Sequence, residues 1–476
     1  MSPSDAAFDC SREPIQVPGS IQPHGALLTV DPARGLTVVG VSRNAAALLG
    51  ASLAAAGLLG RSLGDLLGTA FAEAVRQRFL DGKLRGEAPW QSTLRLADRS
   101  PALDVAIHAV GGLIHLELER AGLQDEADAL NSLRHLQEAI ADLRETKGQL
   151  EVLARVAAHG VRLLTGYERT LIYRFDADWN GQAIAETKVA DWEQSLNGQH
   201  FPADDIPAQA HDLYLRSPIR WVPDRDAKPV PLDIDPAWTG DARPQAIDLS
   251  FARLRSLSPV HLQYHRNMGV NGSMSLSILH EERLWGLMVC HHRQAHYPSP
   301  GQRAAAAALT DAFALRLGPA QRSDTDRARR GDLARLSALL AQMADADMVA
   351  AALTTGDVTI ADLFTSTGAA ILYDGVVSLL GNTPPEAELR ALATWLGTQN
   401  GMGKSLQTDN LATAYPPWER HAAIASGVLA VFLSDDRSDV LLWFRPEEPY
   451  LVNWGGNPNK GGDVSSGVQP RLSFER

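Results

Sequence analysis

The stretch Phe201-Pro202-Ala203-Asp204-Asp205-Ile206-Pro207 sets two carboxylates between two prolines. Proline fixes φ and restricts the residue before it, so this loop is stiff at both ends and can hold a carboxylate and its own carbonyls in one direction. The same residue types also make an ordinary turn and helix cap. Downstream come Arg220, Arg255, Ser258-Pro259-Val260-His261 and His291-His292. Arginine pairs bidentately with carboxylates, which lysine does less well. Tyr214, Ser258, Ser273 and Ser275 add hydroxyls, and His261 and His291 add donors that can relay protons. Tyr173, Phe201, Ile206, Tyr264 and Met274 offer apolar and aromatic walls. The set suits a large, elongated, anionic ligand with two carboxylates; taken singly, each member is also an ordinary surface or core residue.

Other chemistries fit less well. Gly401-Met402-Gly403-Lys404-Ser405 resembles the end of a phosphate loop, but the glycine expected five residues before Gly403 is Thr398, and the preceding segment is helical in pattern where that motif follows a strand. His261 and His265 lie one helical turn apart, yet Leu262 breaks the metalloprotease pattern and no third ligand is evident. The adjacent Asp204 and Asp205 do not converge readily on one substrate atom, and no serine occupies a nucleophile elbow.

The 476 residues suffice for about three domains of ~150 residues. A net charge of −12 with no long basic run argues against nucleic acid or an anionic membrane as partner. Met1 to Val17 has no apolar core and carries Asp5, Asp9 and Glu13, unlike a signal peptide. No uninterrupted apolar span reaches the ~18 residues of a membrane helix. Two cysteines, Cys10 and Cys290, exclude a disulfide scaffold and a cysteine-rich zinc site, and a cytoplasmic setting is expected.

These residues need elements to position them. Cys10 lies in an extended, proline-punctuated segment and, on that segment alone, reads as an incidental thiol. Apolar runs Ala26 to Val30 and Leu36 to Val41 predict strands around an Asp31-Pro32-Ala33-Arg34-Gly35 turn. Asp125 to Leu164 is helical in pattern, with Leu130, Leu133, Leu136, Ile140, Leu143 and Leu150 recurring mostly at three and four; dimerisation through this face and packing on its own domain are both open. Arg220 to Ser258 reads as a long loop rich in proline and aspartate. A helix His261 to Gly269 and strands Ser273 to Leu279 and Leu284 to Cys290 follow. Gly318-Pro319 predicts a break between helices. Strands are expected at Ala369 to Tyr373, Val376 to Leu379, Val428 to Leu433 and Val440 to Phe444. No solenoid repeat is present.

The chain resembles the photosensory part of bacteriophytochromes. The resemblance rests on Cys10 before Pro18-Gly19-Ser20-Ile21-Gln22-Pro23-His24-Gly25; on Phe201 to Pro207 with Tyr214; on Ser258-Pro259-Val260-His261-Leu262-Gln263-Tyr264; on Trp285-Gly286-Leu287 before His291-His292; and on Trp443-Phe444-Arg445-Pro446-Glu447 with Pro470-Arg471-Leu472-Ser473-Phe474. It covers essentially the whole chain. It implies an α+β protein of three sensor-type domains, PAS (1–122), GAF (123–318) and PHY (319–476, with a tongue at about 434–476). Each is an antiparallel sheet flanked by helices. Long helices join them, and Ile21 would pass through the Arg220 to Ser258 loop in a PAS–GAF figure-of-eight knot.

What the resemblance implies for chemistry is specific. The ligand would be biliverdin IXα, held by a thioether from Cys10 to its A-ring vinyl side chain, since the alternative GAF cysteine position is Val260. The Asp205 carbonyl and His261 would accept from the inner pyrrole N–H groups. Arg220 and Arg255 with Tyr214, Ser258, Ser273 and Ser275 would hold the propionates. His291 would bond the D-ring carbonyl, and Tyr173, Phe201 and Tyr264 would line that ring. Arg471 would pair with Asp205 in the red-absorbing state and yield to Ser473 as the tongue refolds. The implied function is a red/far-red photoreceptor, not itself an enzyme. The alternatives are a part of a light-regulated sensor histidine kinase, or a GAF sensor of cyclic nucleotide or haem. A homodimer through the long helices and a response regulator reached through a further output module are the expected partners. Asp204 stands where the family usually has serine. The end of the PHY sheet and its exit helix are expected to lie beyond Arg476.

Overall fold

The computed structural model describes residues 13–50, 55–95, 102–121, 126–146, 149–238, 246–344, 348–399, 403–434, 437–448 and 452–455. Contacts divide the chain into two units, Met1–Gln321 with Val452–Arg476, and Arg322–Leu451. Among the described residues there are three sheets, and every pairing between their strands is antiparallel, giving the α+β class.

The first sheet contains β1 (Ser20–Ile21), β2 (Gly25–Asp31), β3 (Thr37–Ser42), β4 (Trp90–Leu94), β5 (Leu103–Val110) and β6 (Leu113–Arg120). The β2–β3 turn forms as its residue types dictate: the Asp31 carboxylate accepts from the Ala33 amide, and Gly35 takes a left-handed φ of 67°. One sheet face packs Leu28, Val38, Val105, Ile107 and Leu116 against Val75 of the helix Thr69–Leu80. The other buries Ile21 and Leu27 against Ile247, Leu249, Ala252 and Leu254. Burial on both faces explains why β2 reads as an unbroken apolar run rather than an alternation.

The second sheet follows the order β10-β12-β13-β7-β8-β9, from β7 (Arg169–Phe175), β8 (Gly181–Lys188), β9 (His200–Phe201), β10 (Ile219–Val222), β12 (Gly272–His280) and β13 (Arg283–His292). β11 (Val230–Ile234) does not belong to it. It pairs with β1 and β3, so the first sheet runs β1-β11-β3-β2-β6-β5-β4. The segment Arg220 to Ser258, expected to be irregular, therefore gives a strand to each of two sheets. Pro231 masks the strand signal because proline donates nothing to a ladder. Ile21 is fully buried between the two arms of this segment, paired with Val230 on one side and bridged to Arg255 on the other.

Helices cover one face of the second sheet. Ala154, Ala157, Val161 and Leu164 of the helix Leu150–Thr165 join Leu309, Phe313 and Leu317 over Ile172, Ile278, Met288 and Cys290. Each fully buried leucine or phenylalanine here contributes about 1.5–3 kcal/mol. The run Asp125 to Leu164 divides into two helices, Glu126–Glu145 and Leu150–Thr165. Gln149 is extended at ψ 151°, next to Gly148, the residue least suited to a helix interior apart from proline. The expected break at Gly318-Pro319 is absent, and one helix, Pro300–Ala344, runs through it. Proline leaves the carbonyl four residues back without its N–H partner; here that residue, Leu315, is 80% exposed, so water can take the place.

In the second unit β14 (Gly368–Tyr373), β15 (Val376–Gly381), β16 (Ser405–Thr408), β17 (Gly427–Phe432) and β18 (Val440–Arg445) run in the order β15-β14-β18-β17-β16. Leu389, Leu392 and Leu396 of the helix Glu386–Thr398 fill one face. That helix precedes Gly403-Lys404-Ser405, which removes the strand a phosphate loop requires. Leu339, Leu353 and Ile360 cover the other face, and the Trp443 indole donates to the Ile360 carbonyl at 2.7 Å. Among the described residues no helix is long and apolar enough to cross a membrane.

Candidate functional site

The face of the second sheet opposite the helices carries the chemistry, and the two-residue pleat selects its members. Ser273 pairs with His291, which pairs with Arg169; Ser275 pairs with Val289, and that with Leu171; Ser277 pairs with Leu287, and that with Tyr173. Arg220 on β10 pairs with Ser275. Met274, expected to line this pocket, points the other way into the helix-side core, because it alternates with Ser273 and Ser275. Over this face lie a 3-10 turn, Ala203–Asp205, and the helices Ala208–Arg216 and Pro259–Asn267.

One end of the pocket is cationic. Arg255 is 6% exposed, and its Nε and Nη1 find no hydrogen-bond acceptor among the described residues; nor does Arg220 Nη1. Arg220 Nη2 donates to the Ser256 carbonyl at 3.0 Å. Burial, and then the like charge of Arg255, holds the Arg220 guanidinium well below its usual range; burial also lowers Arg255 to about 10. Tyr214 hydrogen-bonds Ser275, and burial raises its phenol. The Ser277 hydroxyl donates to the Tyr214 carbonyl at 2.7 Å and ties the helix to β12. Buried donors without acceptors cost free energy, more so when charged. This end is built for a carboxylate.

Ser258 makes two bonds at the start of the helix Pro259–Asn267. Its hydroxyl caps the helix Pro259–Asn267 by accepting from the Val260 amide at 3.2 Å, and it donates to the Glu13 carboxylate at 2.6 Å. The chain just after Cys10 thus reaches the pocket rim. Sequence reasoning missed Glu13, since nothing local marks an acidic residue in an extended segment. It also missed Gln22, whose amide spans to the carbonyls of Trp221 at 2.9 Å and Arg255 at 3.3 Å.

The other end is acidic and aromatic. The Asp205 amide donates to the Pro202 carbonyl at 3.0 Å, and the Ala203 amide to Asn180 Oδ1 at 3.2 Å, so the turn is pinned to the β7–β8 connection. The Tyr264 hydroxyl donates to Asp205 Oδ2 at 3.3 Å. Asp204 is exposed and Asp205 and Ile206 are half-buried. The rings of Tyr173 and Phe201 are 5.6 Å apart. The Tyr173 ring fills the space where a side chain on Gly181 would stand, so only glycine fits there. His261 lies 4.5 Å from the His265 ring. Burial lowers His261 to about 4, and burial with the Arg169 charge lowers His291 far below the usual imidazole range. Both are neutral at pH 7. Cys290 is fully buried, its thiol pushed up to about 12.

The segment 452–455 adds to this end. The His200 amide donates to the Asn453 carbonyl at 2.7 Å and the Gly455 amide to the His200 carbonyl at 2.8 Å. Cys10, Arg471 and Ser473 lie outside the described residues. Among the described residues no group of three or more His, Cys, Asp or Glu side chains is placed to hold a metal ion. A cavity of about 550 Å³ in the second unit is lined by Phe364, Gln407, Leu429 and Trp443. Its charged residues Asp409, Arg445 and Glu448 are exposed, so it lacks the buried unpaired charge of the first site.

The site can therefore take an elongated ligand with carboxylates at Arg220 and Arg255, acceptors and donors at Asp205, His261 and His291, and an apolar ring against the aromatic end formed by Tyr173, Phe201 and Tyr264. Family models match a PAS fold at residues 10–121, a GAF domain at 149–317 and a phytochrome region at 333–476. The chain is 35% identical to cyanobacterial phytochrome B of Nostoc over 98% of its length and 61% of that protein. It is 34% identical to a bacteriophytochrome of Xanthomonas campestris over 98% of its length and 73% of that protein. A solved phytochrome photosensory core module from Stigmatella aurantiaca superposes with a TM-score of 0.79 at 35% identity, covering 98% of this chain and 92% of that one.

Proposed function

The chain belongs to the phytochromes, as a PAS–GAF–PHY photosensory core of a light photoreceptor, and from that premise we propose that it senses red and far-red light through covalently held biliverdin. The observation that carries this reading is the pair Arg220 and Arg255, buried and with guanidinium nitrogens lacking acceptors, beside the Tyr214–Ser275 bond. A dicarboxylate bilin can satisfy them, with one propionate for each guanidinium. Attachment through Cys10 is supported by Glu13 on Ser258, because three residues of chain reach at most about 11 Å.

When bound, the bilin supplies light absorption and Z/E isomerisation of its D-ring. The protein's residues do the rest. Arg220 and Arg255 anchor the propionates, with Ser273 and Ser275. The Asp205 carbonyl and the neutral His261 accept from inner N–H groups, which favours the protonated, cationic pigment. Ile206 and Tyr264 close the pocket beside Asp205. His291 would donate to the D-ring carbonyl, and Tyr173, Phe201 and Tyr264 would line that ring. Arg471 pairs with Asp205 in the red-absorbing state and gives way to Ser473 in the other. A local contact that biases a bistable element is how such switches act.

Domain boundaries at 122/123 and 318/319 complete the proposal. The chain spans 61% of the Nostoc relative's length, and we assign output, a histidine kinase acting on a response regulator, to sequence beyond this core. Exposed Leu130, Leu133, Leu163 and Leu315 on the helices of the first unit support a homodimer. The test is biliverdin added to the purified, pigment-free protein. A covalent adduct with zinc-induced fluorescence and reversible red/far-red absorbance is expected, and Cys10→Ser abolishes the adduct while retaining noncovalent binding. No uptake, or uptake without photoconversion, refutes the reading.

A further inference from the structure

Arg169 stands at the start of β7, directly across from His291 on β13. It is 1% exposed, although nothing in its sequence neighbourhood distinguishes it from a surface arginine. Its Nη2 lies 3.1 Å and its Nε 3.3 Å from His291 Nδ1, a two-pronged approach to one ring nitrogen. The guanidinium is held in place on its other sides. Its carbon stands 4.1 Å over the Trp192 ring, Nη1 donates to the Gln194 carbonyl at 3.4 Å, and Glu186 Oε1 is 3.9 Å away. The Glu186 carboxylate itself takes the Ser195 hydroxyl and the Leu196 amide, which fixes the turn carrying Gln194.

Arginine has five donors and no acceptor, so the His291 nitrogen it faces must offer a lone pair. A neutral imidazole with a bare Nδ1 carries its proton on Nε2. We propose that Arg169 is a positioning residue that locks His291 as the Nε2–H tautomer, so that the pocket presents a donor, and only a donor, to the end of the ligand lying nearest His291. A ligand with a carbonyl there is accepted, and one with an amine or hydroxyl that must donate is disfavoured. Serine or threonine could not impose this, because a hydroxyl serves either tautomer. That His291 meets a ligand rests on the function proposed above; the tautomer does not.

The two are tested separately. Long-range ¹H–¹⁵N correlation spectra of the pigment-free protein, with His291→Gln to assign the signals, are expected to show His291 Nδ1 bare and Nε2 protonated at pH 7. In Arg169→Met the excess of that tautomer falls by about tenfold, the ratio that ~1.4 kcal/mol sets, while Arg169→Lys, still a donor, retains it. In the pigment-loaded protein Arg169→Met shifts the red absorption band and Arg169→Lys does not. A protonated Nδ1 in the unsubstituted protein overturns the proposal without any variant, as does an unchanged tautomer in a folded Arg169→Met. If the tautomer is as expected but the protein takes up no bilin, the functional reading fails and the role of Arg169 stands.

Discussion

The Ser258 hydroxyl donates to the Glu13 carboxylate at 2.6 Å across 245 positions of sequence. That one bond brings the amino-terminal segment to the edge of a pocket in the second sheet. Ser258 is also the cap of the helix bearing His261 and Tyr264, so the same oxygen serves both. Glu13→Ala leaves the cap and frees the segment. A hydrogen bond of this half-exposed kind contributes about 0.5–1.5 kcal/mol. Covalent attachment of biliverdin is expected to slow about three- to tenfold, with the final spectrum unchanged. The measurement is the time course of zinc fluorescence on denaturing gels, and an unaltered rate rejects the positioning role.

Arg255 separates pigment binding from folding. Its Nε and Nη1 lack acceptors among the described residues and it shares the pocket with the like charge of Arg220. Arg255→Met keeps the apolar stem and removes the charge. The pigment-free protein is expected to melt no lower than the parent, while noncovalent biliverdin affinity falls about ten- to a hundredfold, as lost charge-assisted bonds imply. A lower melting temperature with unaltered affinity reverses the assignment.

Sequence legibility followed the range of the interactions. The strands β13, β14 and β18 were readable because each is largely apolar between turn residues, and β12 because serine alternates with apolar residues. The grouping of Arg220, Ser273, Ser275 and His291 followed from residue type and resemblance, and the pleat brings them to one face. Met274 misled because its type, not its parity, was weighed. β11 was hidden by Pro231, and its partners lie nearly two hundred residues earlier, beyond any local pattern. Arg169 carries no local mark at all; only the β7–β13 register sets it on His291. The continuation of one helix past Pro319 depended on exposure at Leu315, which no propensity reports.

Stability should depend on pH with two opposed slopes. Burial lowers His24 and His115 each to about 4, with Glu119 and Arg303 acting on the first and Asp248 on the second. The unfolded chain then binds more protons than the folded one, so their contribution is full above pH 6.5 and is lost as pH falls toward 4. Glu117, buried against His108 and Arg253 and accepting from the Leu254 amide at 2.6 Å, is raised to about 7. Its contribution is full below 4.5 and is lost as pH rises through 7. Urea denaturation of the pigment-free protein is expected to show stability rising from pH 4 to 6.5, then falling slightly to a plateau above 7. Glu117→Gln keeps the Leu254 bond, steepens the rise and removes the fall; an identical curve refutes the burial of a proton there.

Gly455 tests the contact between segment 452–455 and β9. A Cβ on Gly455 would stand 2.6 Å from Phe201 Cε1, closer than real side chains approach. Gly455→Val forces either the Phe201 ring or the segment to shift. The ring is wedged against Tyr173, while the segment is held by the two backbone bonds to His200, so the segment is the part that yields. The His200 amide, whose acceptor is the Asn453 carbonyl, is then expected to exchange with solvent about tenfold faster, the equivalent of ~1.4 kcal/mol lost. If His200 stays protected and the Phe201 region changes instead, the ring is the softer partner and the segment is anchored independently of its glycine.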